Sequence, residues 1–224
     1  KYAFENALYL DVEQKLSDKI QLSYGLRYST FLRLGQDELN IYKNDEPVVF
    51  NQELQIYEKA DAIGVENYKR SKVLKSFGNL EPRLAIAYQL QSNSSIKASY
   101  NRLSQYLHLL SNTSSPTPLD IWTPSGRYAD PQILDQVALG YFRNFKNDMF
   151  SLELETFYKT VQNRIDYIDG ADLIANDATE QVILNGEARA YGMEILFRKN
   201  TGRLTGWVAY TLSKSEQRTP GRTA

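Results

Sequence analysis

The sequence has no cysteine and a single histidine, His108. Without thiols there is no disulfide framework, no thiol nucleophile and no cysteine-ligated zinc. With one imidazole, two-histidine zinc sites and Cys–His pairs are out of reach, and no Ser-His-Asp set is read around it. No catalytic constellation survives, so the expectation is a protein that is not an enzyme and carries no cofactor or metal. No run of about 18 apolar residues exists, which excludes a helical membrane span. A formal net charge of -1 and a sequence pI of about 6.0 leave no basic field for nucleic acid. A mean hydropathy of -0.49 looks soluble. It does not exclude a transmembrane barrel, whose strands bury only every second residue in lipid.

What is present is alternation. From Ile20 to Leu34 the chain reads IQLSYGLRYSTFLRL. Ile20, Leu22, Tyr24, Leu26, Tyr28, Leu32 and Leu34 share one parity, and Gln21, Ser23, Gly25, Arg27, Ser29 and Arg33 share the other. Side chains alternate faces along a strand, so this is one strand with an apolar and a polar face. A membrane-spanning strand needs about 9–11 residues. This stretch is long enough to cross a hydrocarbon band of about 25 Å.

Three further stretches repeat the design. A first strand at about 4–14 precedes the polar turn 15–19. A second hairpin pairs Leu84, Ile86, Tyr88 and Leu90 with Ile96, Ala98 and Tyr100. Pro82 cannot donate to a ladder, so full pairing is expected to begin just after it. A third hairpin sets Val137, Leu139 and Tyr141 against Phe150, Leu152, Leu154 and Tyr158. A fourth sets Tyr191, Met193, Ile195 and Phe197 against Leu204, Val208, Tyr210 and Leu212. Between hairpins lie long connections at 35–79, 104–134 and 163–187; within hairpins the turns are short. Within the first connection, 47–50 and 54–57 are read as strand extensions. Tyr outnumbers the other aromatics and suits a ring in apolar surroundings with a wet hydroxyl.

Soluble sandwiches also alternate, but strand length and the short/long asymmetry favour an outer-membrane barrel with short periplasmic turns and long extracellular loops. The fold class is therefore all-β, an antiparallel transmembrane barrel segment of about eight strands. The lipid-facing set is Leu22, Tyr24, Leu26, Tyr28, Ile86, Tyr88, Leu152, Leu154, Ile195, Phe197, Val208 and Tyr210. Arg27, Arg83, Lys97, Glu153, Glu155 and Lys159 fall on the inward parity and would line the lumen. Gly25, Gly140 and Gly192 share that parity, where they can relieve crowding as the sheet curves. In the second long loop Tyr106, His108, Trp122, Arg127 and Tyr128 combine rings with hydrogen-bond donors, the anchors that recognition loops favour. The competing reading is that these rings pack the loop onto the rim. Asp166, Asp169 and Asp172 with Gly170 form an acidic loop without EF-hand spacing, read as solvated rather than calcium-binding.

Several segments resemble TonB-dependent outer-membrane receptors, particularly those of the Bacteroidetes. They are 80–90 (LEPRLAIAYQL), 95–102 (SIKASYNR), 105–110 (QYLHLL), 120–124 (DIWTP), 155–159 (ETFYK) and 202–213 (GRLTGWVAYTLS). The resemblance implies a barrel of about 22 strands with a plugged lumen. It implies a receptor that imports a siderophore, vitamin, glycan or peptide with energy from the TonB complex. Outer-membrane lipid, the extracellular solute and TonB are the partners it implies. Residues 1–224 show nothing like a plug domain, an energy-coupling box or a closing C-terminal strand, so a central fragment of the barrel is expected. The alternatives are a passive porin, a small eight-stranded barrel with a structural or adhesive role, and a soluble carbohydrate-binding sheet protein.

Overall fold

The computed structural model describes residues 2–35, 38–111, 121–173, 176 and 178–220. Fourteen strands are described. Eight long ones form one antiparallel sheet: β1 (Tyr2–Lys15), β2 (Ile20–Leu34), β7 (Val73–Gln91), β8 (Ser94–Gln105), β11 (Gln132–Phe145), β12 (Phe150–Tyr167), β13 (Ile183–Lys199) and β14 (Gly206–Arg218), in that spatial order. Every neighbour in the sheet is the next long strand in sequence, the up-and-down order expected of a barrel wall. The sheet is open, with β1 and β14 at its two ends. That corrects the reading of a small closed eight-stranded barrel.

The remaining strands lie in the long connections. β3 (Glu38–Tyr42) pairs β6 (Ala62–Asn67), and β4 (Val48–Asn51) pairs β5 (Ile56–Lys59). The two segments read as strand extensions thus pair with each other. β9 (Leu107–Leu110) pairs β10 (Ile121–Pro124). Two 3-10 turns, Lys43–Asp45 and Thr179–Gln181, are the helical pieces among the described residues.

Register carries the two faces across the sheet. Val12, Tyr24, Leu84, Tyr100, Val137, Tyr158 and Tyr191 stand side by side on seven strands. One residue along, on the opposite face, runs the row Asp11, Gly25, Arg83, Asn101, Gln136, Lys159 and Ala190. A one-residue slip would exchange these rows, so the period-2 pattern fixes the pairing. Leu22, Tyr24, Leu26, Tyr28, Ile86, Tyr88, Leu152, Leu154, Ile195, Phe197, Val208 and Tyr210 all share the first face. Arg27, Arg83, Lys97, Glu153, Glu155 and Lys159 share the second.

Two strands run further than the sequence suggests. β7 starts at Val73, inside what reads as a connection, because residues 73–79 continue the ladder with β2 from Leu34↔Val73 to Ser29↔Asn79. Charged and glycine residues there are tolerated on a strand whose partner supplies the hydrogen bonds. β12 likewise continues to Tyr167, past a bulge at Gln162–Asn163 where Asn163 has φ 56°. Asn tolerates that left-handed backbone, which a bulge requires. Pairing of β7 with β8 begins at Arg83, just after Pro82, but pairing with β2 runs through it, Leu26 opposite Pro82. Leu204 lies in the turn before β14, not on the strand.

The cluster of buried apolar residues among those described draws on the loops and on the loop ends of β12 and β13. Leu110, Ala129, Ile165, Ile168, Leu173, Val182, Ile183 and Leu184 pack together, with Val48, Tyr57 and Ile121 against them. Residues from all three long connections contribute. The loops therefore share one small core on the loop side of the sheet.

Candidate functional site

Loop two turns onto the polar face of the wall as soon as β8 ends. The ring of Tyr106 stacks on Phe31 of β2, centroids 4.9 Å apart and planes within 2°. Its hydroxyl meets Ser29 Oγ at 2.7 Å and accepts from Asn79 Nδ2 at 2.8 Å. Ser29 Oγ donates to Glu81 Oε1 at 2.7 Å. Ser29 has one hydroxyl proton and gives it to Glu81, so the chain has one direction: Asn79 to Tyr106 to Ser29 to Glu81. Glu81 is fully buried, and Arg27 Nη1 reaches its two oxygens at 3.0 and 2.8 Å. Arg27 Nη2 also donates to Glu5 at 3.2 Å.

The next anchor is His108, on the buried face of the β9–β10 hairpin. Gln132 Nε2 donates to its Nδ1 at 3.2 Å, which leaves the ring proton on Nε2, where it is given to Ser125 Oγ at 2.8 Å. Ser125 N donates to the Tyr106 carbonyl at 2.7 Å, so Tyr106 and His108 are joined through one serine. Burial first, and the nearby Arg164 cation second, push the imidazole down to about 4. His108 is neutral at pH 7.

Arg127 and Tyr128 tie loop two to loop one. Arg127 Nη2 lies 2.7 Å from Asp45 Oδ1 and Nη1 lies 3.9 Å from Glu66. The hydrogen bonds to Asp45 hold its guanidinium above its ordinary value. Tyr128 donates to the Asn40 carbonyl at 2.8 Å and meets Tyr42 edge-on, centroids 5.4 Å apart. Loop three closes the set through Glu180, whose Oε1 accepts from Tyr42 at 3.0 Å and from Asn40 at 3.4 Å. Burial and the Glu180 carboxylate both push the Tyr42 hydroxyl up, so it stays a donor. Burial likewise raises Tyr128. Arg33, Thr123, Gly126, Arg127, Tyr128 and Glu180 line the small cleft where these loops meet. Thr123 Oγ1 is buried there with no hydrogen-bond partner among the described residues.

The five loop residues singled out from sequence do not converge on one point. Tyr106 and His108 are buried anchors, Arg127 and Tyr128 fasten two loops, and Trp122 stands 60% exposed on the opposite face of its hairpin. Sequence reading missed Ser29, Asn79 and Glu81 on the wall, and Asn40, Tyr42 and Glu180 in the loops. Glu81 lay on the same parity as Arg27, but only the β2–β7 register makes them neighbours. In the acidic loop, Thr219 Oγ1 donates to Asp166 Oδ2 at 2.5 Å. Among the described residues no group of three or more His, Asp or Glu is placed to hold a metal.

The family model of the TonB-dependent receptor-like β-barrel matches residues 1–224. No curated protein sequence matches the chain. Solved structures share the fold at low identity. The ferric yersiniabactin uptake receptor FyuA from Yersinia pestis superposes with a TM-score of 0.56 at 13% identity, over 96% of this chain and 27% of that one. The ferric-catecholate import receptor Fiu from E. coli K12 gives 0.55 at 15%, over 96% and 28%. The alcaligin outer-membrane receptor FauA from Bordetella pertussis gives 0.53 at 12%, over 96% and 30%. The chain thus spans less than a third of the length of these structures. The chain belongs to the TonB-dependent receptor family of the bacterial outer membrane, as a contiguous sector of its β-barrel.

Proposed function

We propose that this sector belongs to an active importer, in which the packed loops receive an extracellular solute and the polar face lines its path inward. The observation that carries this reading is the match of the receptor-barrel model along the whole chain, joined to three long loops that share one core. Loops on a rigid wall recognise, and a shared core preorganises them so that less ordering is needed on binding. Recognition is the whole of the chemistry: no bond is made or broken, and the TonB complex supplies the energy. FauA is an alcaligin receptor, Fiu a ferric-catecholate import receptor and FyuA a ferric yersiniabactin uptake receptor. Here the solute class stays at siderophore, vitamin, glycan or peptide, because loops rather than the barrel set it.

Uptake by cells expressing the intact receptor tests the reading. Fluorescent or radiolabelled solutes from each class should accumulate only with the receptor, and a protonophore should abolish accumulation. Accumulation unaffected by the protonophore would make the protein a passive pore.

A further inference from the structure

The four short turns lie on the periplasmic side of the wall, opposite the packed loops, and the import reading leaves them unused. They read KLSDK at 15–19, QSNS at 91–94, RNFKND at 143–148 and RKNTGR at 198–203. Together they hold seven cationic side chains against two carboxylates. The whole chain has a formal net charge of -1, so this end is basic against the trend of the molecule. The two carboxylates are engaged within their own turns. Asp18 pairs with Lys15 at 2.7 Å, and Asp148 Oδ1 accepts from Asn144 Nδ2 at 2.8 Å. Among the described residues Arg143, Lys146, Arg198, Lys199 and Arg203 are in no ion pair.

The turns are joined into a row. Gln89 N donates to the Lys19 carbonyl at 2.7 Å and ties the second turn to the first. Asn144 N donates to the Asn93 carbonyl at 2.8 Å, and Asn93 Nδ2 returns a bond to the Asn144 carbonyl at 3.0 Å. Asn200 N donates to the Met149 carbonyl at 2.8 Å, and its Nδ2 to the Asp148 carbonyl at 3.0 Å. Two asparagine amides thus stitch neighbouring hairpins together at their tips, so little ordering of the backbone is left to a binding event. Adjacent turns stand two strand spacings apart, about 10 Å.

We propose that this rim binds the peptidoglycan layer through the free carboxylates of its stem peptides. Three observations select that occupant. The cations belong to both faces of the sheet: Arg143 follows the apolar parity of Tyr141, and Arg198 the polar parity of Glu194. Their field is therefore directed past the strand ends and is not confined to the side that meets lipid. The third turn exposes Lys146, Asn147 and Asp148 but no large apolar side chain, so it lacks the anchor on which protein interfaces are built. A polymer with recurring carboxylates meets several turns at once, and linked weak contacts add up, whereas a small anion meets one turn. Exposed Asn147 and Thr201 add hydrogen-bonding groups for glycan hydroxyls and peptide amides. The inference rests on orientation in the outer membrane and not on import, so it stands or falls separately.

The test is co-sedimentation of the intact receptor in detergent with purified sacculi, either native or with their carboxylates converted to amides. The wild-type receptor should prefer native sacculi by about tenfold. Lys146→Gln, Arg198→Gln, Lys199→Gln and Arg203→Gln together should erase that preference, while Lys69→Gln, Arg70→Gln and Lys72→Gln on the loop side should leave it unchanged. The wild-type comparison needs no variant and guards against assembly defects. Equal binding of the two kinds of sacculi by the wild type would overturn the proposal. So would a preference that survives the four turn substitutions, or one lost equally with the three loop-side substitutions. Release of the bound receptor by phosphatidylglycerol, at a concentration matched to the sacculus carboxylates, would overturn it in favour of inner-leaflet lipid.

Discussion

Arg27 on β2 and Glu81 on β7 are Cα partners across the ladder, and one guanidinium nitrogen spans both carboxylate oxygens of Glu81. The Glu81 side chain is 1% exposed and that of Arg27 28% exposed. The carboxylate is therefore the dependent member. It relies on Arg27 for charge and on Ser29 for a hydrogen bond, whereas Arg27 keeps solvent and Glu5.

That asymmetry sets an order among substitutions. Arg27→Met leaves a buried carboxylate without its cation and should cost about 3–5 kcal/mol, the range for breaking buried pairs. Glu81→Gln leaves a neutral amide and should cost less. Arg27→Met with Glu81→Leu should recover much of the loss, because neither charge then remains to be desolvated. The temperature at which the intact barrel loses its compact migration in unheated gels reads all three.

The two faces of β2 make opposite demands on a cation. Leu26→Arg places a charge in lipid and should cost about 2–4 kcal/mol near mid-depth, enough to deplete the assembled receptor in outer membranes. Ser23→Arg, on the polar face, should leave that level within about twofold. Equal depletion by both would contradict the face assignment.

Most of the wall can be read from residue order, because period-2 alternation and short turns are local properties. The boundaries of β2 follow from its own residues. Those of β7 do not, since Lys75, Ser76 and Gly78 become strand only because β2 offers them partners. The loop residues were legible as candidates and not in their roles. An aromatic ring beside donors marks a contact, but whether Tyr106 meets a solute or Phe31 depends on where loop two turns. The apolar residues of loops two and three, Leu110, Ile121, Val182 and Ile183 among them, were the local sign that these connections build a core.

His108 makes the loop fold dependent on pH. Its folded value, about 4, lies below the ordinary 6.5. Above pH 6.5 the ring is neutral folded or unfolded and contributes no pH dependence. As pH falls from 6.5 towards 4 the unfolded loop takes up a proton that the folded one refuses, so stability drops by as much as about 3 kcal/mol. Below 4 the drop levels off. Hydrogen exchange of loop-two peptides should accelerate between pH 6.5 and 4 after correction for intrinsic rates. His108→Asn should flatten that profile at the cost of a slower, pH-independent loosening.

Gly192 reports on sheet curvature rather than on charge. A Cβ there would lie 2.7 Å from the Leu212 carbonyl oxygen and 3.0 Å from Ser213 Cα, both backbone atoms that cannot swing aside. Gly192→Ala should therefore push β13 from β14 and lower the unfolding temperature. Gly206→Ala, which meets nothing within 4 Å, is the matched control and should be close to neutral. Similar losses at both positions would point to backbone entropy instead of contact.

On the import reading, the loop core separates recognition from scaffold. Leu110 and Val182 are completely buried, one from loop two and one from loop three. Truncating a buried Leu to Ala typically costs about 2–5 kcal/mol. In Leu110→Ala with Val182→Ala that loss should fall on the loops, because the wall keeps its own ladder of strand pairs. Assembly in the outer membrane and the unfolding temperature of the barrel should then change little, while solute binding by the intact receptor weakens at least tenfold. If binding is unchanged while protease now cuts the loops, the solute is held by the wall and not by the assembled loops.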